Sequence, residues 1–483
     1  MALRKIINPV TRLSGFLEIE VYIEGHTIVE AKSSSLLFRG FEIMLQGRNP
    51  LDAIYFTQRI CGICSTAHSV ASSLALEEAL KVTITEQGRA LRDLVHGCEF
   101  LQNHLRHLYL YTMPDFIKLP EAQCLFQKGE QNHQDLRLPK KENDLLVDHY
   151  LESFSISRKA HEMLAIFGGK APHDHGIFVG GLTVHPTIDK VIKFRSLLDQ
   201  IKRFTIEKMI PDVYTLARYY DDYFHIGRGY GNLLSFGLFE RSSKEIEARR
   251  KEEIQKSYRY VEAAFLPYKG KEKRINKNKI TESLRYGWYQ DGKPERPIEG
   301  TTIPDTEKEK AYSWSKAPRY EGYPCEVGPL ARLIISGHYP YQISMMDRTI
   351  ARALEVLQVI MVMEQLLEEI ALQEAPQDIY TIPEKTKGIG LTDTTRGALG
   401  HWLIIDNQKL FHYQVITPSA WNLSPRDEKG QRGPLEEALV GTKIEKIDQP
   451  VEIGRIVRSF DPCISCATHV HTIKGIQKIT ILD

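Results

Sequence analysis

A chain of 483 residues, 42% apolar and 26% charged with a formal net charge of +1, has the composition of a globular protein with room for an extensive core. That near-neutral balance excludes a dominant nucleic-acid surface, because neutralising phosphates takes a marked basic excess. Seven cysteines, an odd number in a long chain whose start, MALRKIINPVTRLSG, lacks the apolar stretch of a secretory signal, argue against a disulfide framework.

The first 35 residues, through GFLEIEVYIEGHTIVEAKSSS, alternate apolar and polar around a Glu-Gly-His turn, the pattern of an antiparallel hairpin. From SSLLFRGFEIMLQGR onward the helical period takes over. TAHSVASSLALEEALKV, GRALRDLVHGCEFLQNHLRHLYLYTM and LESFSISRKAHEMLAIFGG all carry apolar residues at three- and four-residue spacing. DKVIKFRSLLDQIKRFTIEKMIPDVYTLARYY adds one or two long helices. Residues 241–297 read as charged and turn-rich, with SSKEIEARRKEEIQKSYRY a short solvated helix and the basic stretch YKGKEKRINKNK a solvated loop. The most apolar segment, Ile350 to Leu372, is interrupted by Arg352, Glu355, Glu364, Glu368 and Glu369. A bilayer span needs about 20 apolar residues with few charges, so this segment reads as a helix deep inside a bundle. ALGHWLIIDNQKLFHYQVIT then returns to strand alternation around an Asp-Asn turn. Neither repeats nor low-complexity tracts occur. The expected fold class is α+β, mainly helical, with a long-helix bundle core and small antiparallel sheets near the N-terminal and C-terminal parts.

Four of the cysteines form two CxxC pairs at opposite ends: RICGICSTAH, Arg59 to His68, and FDPCISCATH, Phe460 to His469. Cys98, Cys124 and Cys325 stand singly and read as small buried hydrophobes. Thiolates select soft or borderline metals. Spacing alone leaves open a structural four-cysteine zinc site, a redox metal site, or two unrelated motifs. If the pairs share one site, the first and last elements must pack together around it, and one compact unit is expected in place of three independent domains. Each pair also has a polar escort, Arg59 and His68 for the first, Asp461 and His469 for the second, which a structural zinc site does not require.

The two pairs match RxCGxCxxxH and DPCxxCxxH, and the chain thereby resembles the large subunit of nickel–iron hydrogenases. PVTRLSGFLEIEV at Pro9, LFRGFEIMLQGR at Leu37, YSWSKAPRYEGYPCEVGPLARL at Tyr312, RGALGHW at Arg396 and WNLSPRDEKGQRGPLEEALVGT at Trp421 look like the same family, in its order, from residue 9 to 469. The resemblance implies reversible heterolytic cleavage of H2 to protons and electrons, with uptake the expected direction. It implies nickel held by all four thiolates, Cys61 and Cys463 as terminal ligands, Cys64 and Cys466 bridging to an iron that bears carbon monoxide and two cyanides. Arg396 would stand over the open coordination position, Ser419 would donate to a cyanide, and His68 would donate to the Cys466 sulfur, tuning its basicity. Cys463 or Arg396 would take the proton. A second metal, magnesium or iron, would be held by Glu42, His469 and the backbone carbonyl of Val415, donors suited to hard cations. The three remaining single cysteines are too few for an iron–sulfur cluster, so electrons must leave through the family's iron–sulfur small subunit. Metal-insertion proteins and a maturation protease are the other partners implied. Export or membrane attachment would come through other subunits.

Three features depart from the family's pattern. Ser14, in TRLSG, stands where most relatives have a proton-relaying glutamate. Serine passes a proton along a hydrogen-bonded chain but cannot hold it as a carboxylate does. Asn103, in QNH, replaces an aspartate near Arg396, and Thr395 replaces a proline, while Asp461 remains. The segment VHTIKGIQKITILD, residues 470–483, corresponds to an extension that the family removes after metal insertion. The competing readings are a hydrogen-sensing regulatory subunit, a related quinone-site subunit, which lacks the cysteines, and a structural zinc protein.

Overall fold

In a computed structural model the described residues are 2–120, 135–241, 246, 259–373, 375 and 377–464. Chain order gives β1 (Leu3–Ile7), β2 (Leu17–Glu24), β3 (Thr27–Ser35), α1 (Phe41–Met44), α2 (Asp52–Gln58), α3 (Ser65–Leu80), α4 (Glu86–Arg106), α5 (Lys140–Gly168), β4 (Ile177–Phe178) and β5 (Gly181–Leu182). There follow α6 (Ile188–Phe204), α7 (Ile210–Tyr219), β6 (Leu233–Glu240), β7 (Arg259–Leu266), β8 (Lys273–Arg274), β9 (Ile280–Ser283), β10 (Ala317–Tyr320), α8 (Pro329–Ile335) and α9 (Met345–Glu369). The last elements are β11 (Lys385–Thr394), β12 (Gly397–Asp406), β13 (Lys409–Ile416), α10 (Pro418–Asn422), α11 (Pro434–Leu439) and α12 (Val451–Ser459).

The architecture is mixed α/β with several small antiparallel sheets. Three-stranded sheets of order β1-β2-β3 and β11-β12-β13 stand near the two ends of the chain. A third, β6-β7-β8, and the pair β10-β9 occupy the middle, so the sheets are not confined to the ends and residues 259–283 are more than charged turns. β6 is buried at every position but its last, which leaves it no apolar–polar alternation to read. The solvated helix expected over residues 242–260 lies almost wholly outside the described residues.

Long helices pack where the 3.6-residue period placed apolar faces. α4 starts at Thr85, whose hydroxyl accepts from Gly88 N, satisfying one of the unpaired first-turn N–H groups. It packs on both α5 and α9. Gly97 permits the α4–α9 crossing, since a Cβ there would lie 2.7 Å from Met363 Sδ. In α9 the interrupting charges divide by face. Arg352 and Glu355 are buried, whereas Glu364, Glu368 and Glu369 pair outward with Lys202, Arg195 and Arg89. No helix among the described residues is long and apolar enough to cross a membrane.

Candidate metal centre

The first cysteine pair lies in the turn between α2 and α3, and Cys64 is the residue before the first helical turn of α3. Its side chain makes no cap hydrogen bond. The Glu99 carboxylate, from α4, instead accepts from Thr66 N at 2.8 Å and Ala67 N at 3.3 Å. This ties the helix start, and the thiol beside it, to α4. Burial pushes Glu99 up to about 8 despite those donors.

The second pair follows α12. The chain reverses at Asp461, which adopts the left-handed region at φ 52°, and delivers Cys463. A short parallel bridge then joins the two ends of the chain: Ser14 N donates to Pro462 O at 3.3 Å and Ile464 N donates to Ser14 O at 2.6 Å. The Cys61 and Cys463 sulfurs, 402 positions apart in sequence, stand 3.3 Å from each other. The Sγ atoms of Cys61, Cys64 and Cys463 all lie within 4.8 Å of one another, buried. A disulfide would need about 2.05 Å. Thiolates about 2.3 Å from a shared metal would stand about 3.3–4.6 Å apart in tetrahedral or square-planar order, so the three sulfurs fit a common metal. Cys466 and His469 lie outside the described residues.

Arg396, in the turn between β11 and β12, is buried beside this cluster. Its Nε donates to Asp461 O at 2.9 Å and its Nη2 lies 3.0 Å from Asp461 Oδ1. Burial opposes its charge, but Asp461 and then Cys463, Cys64 and Cys61 raise the guanidinium well above its ordinary value. Gly397 is required in that turn: at φ 128° a Cβ would meet Val327 Cγ2 at 2.5 Å. Asn103 stands against Asp461, Nδ2 donating to Oδ2 at 2.8 Å. Burial alone would raise Asp461, yet Arg396, His107 and Arg352 hold it below the usual carboxylate range. Ser419 Oγ accepts from Cys463 N at 3.0 Å, which leaves its own hydrogen to donate. Arg59 stands apart: its side chain is exposed at the end of α2, while its carbonyl accepts from Arg39 Nη1 at 3.0 Å.

α3 lies against the β11–β12 face at unusually short range. At Gly388 a Cβ would sit 1.9 Å from Ala75 O, and at Gly390 one would sit 2.1 Å from Ala71 O. The bare backbone of β11 thus lets the helix approach until His68 Nδ1 reaches His401 Nε2, on β12, at 3.1 Å. His401 Nδ1 in turn meets the Tyr413 hydroxyl at 2.8 Å.

Glu42, on α1, touches β13: Val415 N donates to its Oε1 at 3.0 Å, and Thr302 Oγ1 donates to its Oε2. The Lys316 ammonium is 3.5 Å from Glu42 Oε2 and 4.0 Å from Glu282 Oε2. Gln414 Nε2 donates to Glu282 Oε2 at 2.8 Å. Burial pushes Glu282 up to about 7, Lys316 opposing and Glu42 reinforcing. These are buried oxygen donors of the kind hard cations take, with the Lys316 ammonium standing among them.

His401, Tyr413, Glu99, Arg352, Lys316, Glu282 and Gln414 escape a motif reading because each owes its place to a long-range contact. The available signal was a polar residue inside an apolar period, as with His401 in ALGHW. Of the single cysteines, Cys98 and Cys325 are buried, and burial pushes Cys325 up to about 12. Cys124 lies outside the described residues.

A family model described as nickel-dependent hydrogenase matches residues 39–124, 120–340 and 338–469. The chain is 34% identical over 510 residues to the periplasmic [NiFeSe] hydrogenase large subunit of Desulfomicrobium baculatum, covering 99% of this chain and 97% of the relative. It is 27% identical over 570 residues to the hydrogenase-2 large chain of Escherichia coli (strain K12), covering all of both. Among solved structures, the Ni-Fe-Se hydrogenase of D. vulgaris Hildenborough in the reduced state superposes with a TM-score of 0.91 at 35% identity, covering 97% of this chain and 100% of that one. Selenium is named for the D. baculatum and D. vulgaris proteins; all four positions of the two motifs are cysteine here.

Proposed function

The chain belongs to the nickel-dependent hydrogenase family, and we propose that Cys61, Cys64, Cys463 and Cys466 hold its nickel–iron group. It is the large, catalytic subunit of a hydrogenase, an oxidoreductase acting on H2. The convergence of three buried sulfurs from opposite ends of the chain beneath Arg396 carries this assignment of residues. Cys61 and Cys463 would hold nickel, and Cys64 and Cys466 would be shared with the iron, which would carry carbon monoxide and two cyanides. When bound, this group supplies the Lewis acidity that polarises dihydrogen for heterolytic cleavage.

The chain's own residues manage charge and the proton. Arg396, held by Asp461, keeps a fixed positive charge over thiolates that would otherwise be costly in a dry site. The Cys463 sulfur accepts the proton. Ser14, whose backbone runs alongside Cys463, passes it on through a hydrogen-bonded water. Ser419 donates its free hydrogen to a cyanide. Glu42, the Val415 carbonyl and His469 would hold a magnesium or iron ion, which would link the C-terminal motif to α1 and β13. Electrons leave to an iron–sulfur small subunit, consistent with the large-subunit relatives. Export with that partner would account for a compartment like that of the periplasmic D. baculatum relative. Residues 1–469 act as one unit and residues 470–483 are removed on maturation; the family match ends at His469.

The test is the co-expressed complex. We expect one nickel per large subunit with iron in excess of nickel because the partner's clusters also hold it, H2-dependent dye reduction, and infrared bands of metal-bound carbon monoxide and cyanide. One zinc per chain with none of those bands would overturn the assignment.

A further inference from the structure

We infer that Tyr413 and His401 form a one-way hydrogen-bond chain that fixes the tautomer of His68, so that His68 presents an Nε2–H donor to the metal-bound thiolates. The inference rests on the proposed nickel–iron reading and adds two positioning residues to it.

The geometry is a line of three buried side chains from three elements. Tyr413 on β13, His401 on β12 and His68 on α3 are each at most 1% exposed. The hydroxyl meets His401 Nδ1 at 2.8 Å, and His401 Nε2 meets His68 Nδ1 at 3.1 Å. A neutral imidazole has one donor and one acceptor nitrogen. A charged His401 would donate through both nitrogens and leave the Tyr413 hydrogen without an acceptor, so the paired geometry requires the neutral ring. A tyrosine hydroxyl keeps its proton at neutral pH.

Two directions are then conceivable, and the surroundings choose between them. If Tyr413 O–H donates to His401 Nδ1, the His401 proton sits on Nε2 and is donated to His68 Nδ1. Both bonds are made and no donor is stranded. If the direction is reversed, His401 Nδ1–H donates to the Tyr413 oxygen and the phenolic hydrogen needs another acceptor. Among the described residues its hydrogen-bond partner is His401 Nδ1 alone, so reversal would strand a buried hydroxyl, which is unfavourable. The forward direction makes His68 Nδ1 an acceptor, and its proton must reside on Nε2. That is the nitrogen through which His68 would donate to the Cys466 sulfur. Without the chain His68 could equally carry its proton on Nδ1 and turn a lone pair toward an electron-rich thiolate. The glycines of β11 belong to the same device, because only a bare strand lets α3 approach closely enough for the two rings to bond.

A donor on a bridging thiolate lowers its electron donation to iron, and the stretching frequency of iron-bound carbon monoxide reads that donation. The experiment compares infrared spectra of the co-expressed, metal-loaded complex in wild type, His401→Gln, His401→Leu and Tyr413→Phe, with nickel content measured for each. His401→Gln preserves the direction, its oxygen accepting from Tyr413 and its amide donating to His68, and should keep the wild-type carbon monoxide band. His401→Leu should shift that band to lower frequency, and Tyr413→Phe should shift it the same way by less. A merely structural role would lower nickel content while leaving the band of the loaded fraction unmoved. Identical bands in all the variants that load metal would overturn the inference; should His401→Leu not assemble, Tyr413→Phe decides. A wild-type complex lacking diatomic bands altogether would overturn the nickel–iron reading and this inference with it.

Discussion

Replacing Gly390 by alanine probes how the helix after the first cysteine pair is seated. The added Cβ would lie 2.1 Å from Ala71 O and 2.6 Å from Ala75 N. Ordinary contacts of this kind begin above about 3 Å, so α3 and β11 must separate by roughly 1 Å. Both neighbours are backbone atoms and cannot rotate away. Overpacking of this kind costs about 1–3 kcal/mol, occasionally more, and the backbone clash places Gly390→Ala at the upper end. The same displacement would stretch the 3.1 Å His68–His401 bond to about 4 Å, beyond hydrogen-bonding reach, and would draw Cys64 away from Cys463. The assay pairs a thermal melt of the purified complex with its nickel-to-protein ratio. We expect a lower Tm and reduced nickel. Gly292→Ala, where an added Cβ meets nothing within 4 Å, should change neither. Gly390→Ala with wild-type Tm and wild-type nickel would refute the claim that close helix–strand contact seats the site.

Other consequences are as definite. Asp461→Asn leaves the buried Arg396 guanidinium without its carboxylate and should cost about 3–5 kcal/mol in denaturant unfolding. Adding Asn103→Asp restores a carboxylate to the same cluster and should recover much of that loss, with a double-mutant cycle measuring the coupling. The Glu355 carboxylate accepts from Nε and Nη2 of Arg332 and meets His104 Nε2. Although burial opposes it, Arg332 lowers Glu355 to about 2. Its folded value lies below the unfolded value of about 4.3, so the stability it contributes is full above pH about 4.3 and lost as pH falls toward 2. Glu355→Gln should flatten that part of a pH–stability curve while lowering stability at pH 7. Ser14→Ala should slow H2/D⁺ exchange without changing nickel content; unchanged exchange would exclude the serine from the proton route.

What the sequence made legible divides along physical lines. The convergence of Cys61, Cys64 and Cys463 could be anticipated because thiols at short local spacing suit metal ligation, and α4, α5 and α9 were legible because each buries an apolar stripe long enough to show its period. β6 was not, because a strand buried on both faces has no alternation. Arg352 and Glu355 in α9 gave no hint of their fate, since only the fold separates them from Glu364 and Glu368 on the outward face. At the site, local motif gave Cys61, Cys64, Cys463 and His68. Tyr413 and His401 needed the β12–β13 register, Glu99 needed the α3–α4 contact, and Lys316 needed the approach of α1 to β13. Arg59 shows the converse failure: proximity in sequence to Cys61 did not carry its side chain into the buried cluster.

The central claim is that sulfurs from both ends of the chain enclose one nickel-bearing centre. Anomalous scattering recorded across the nickel absorption edge, from crystals of the mature complex, tests it most directly. One nickel peak per chain, bonded to sulfurs of Cys61, Cys64, Cys463 and Cys466, is the expected result. A peak attached to only one CxxC pair, or scattering that turns on at the zinc edge instead, would contradict it.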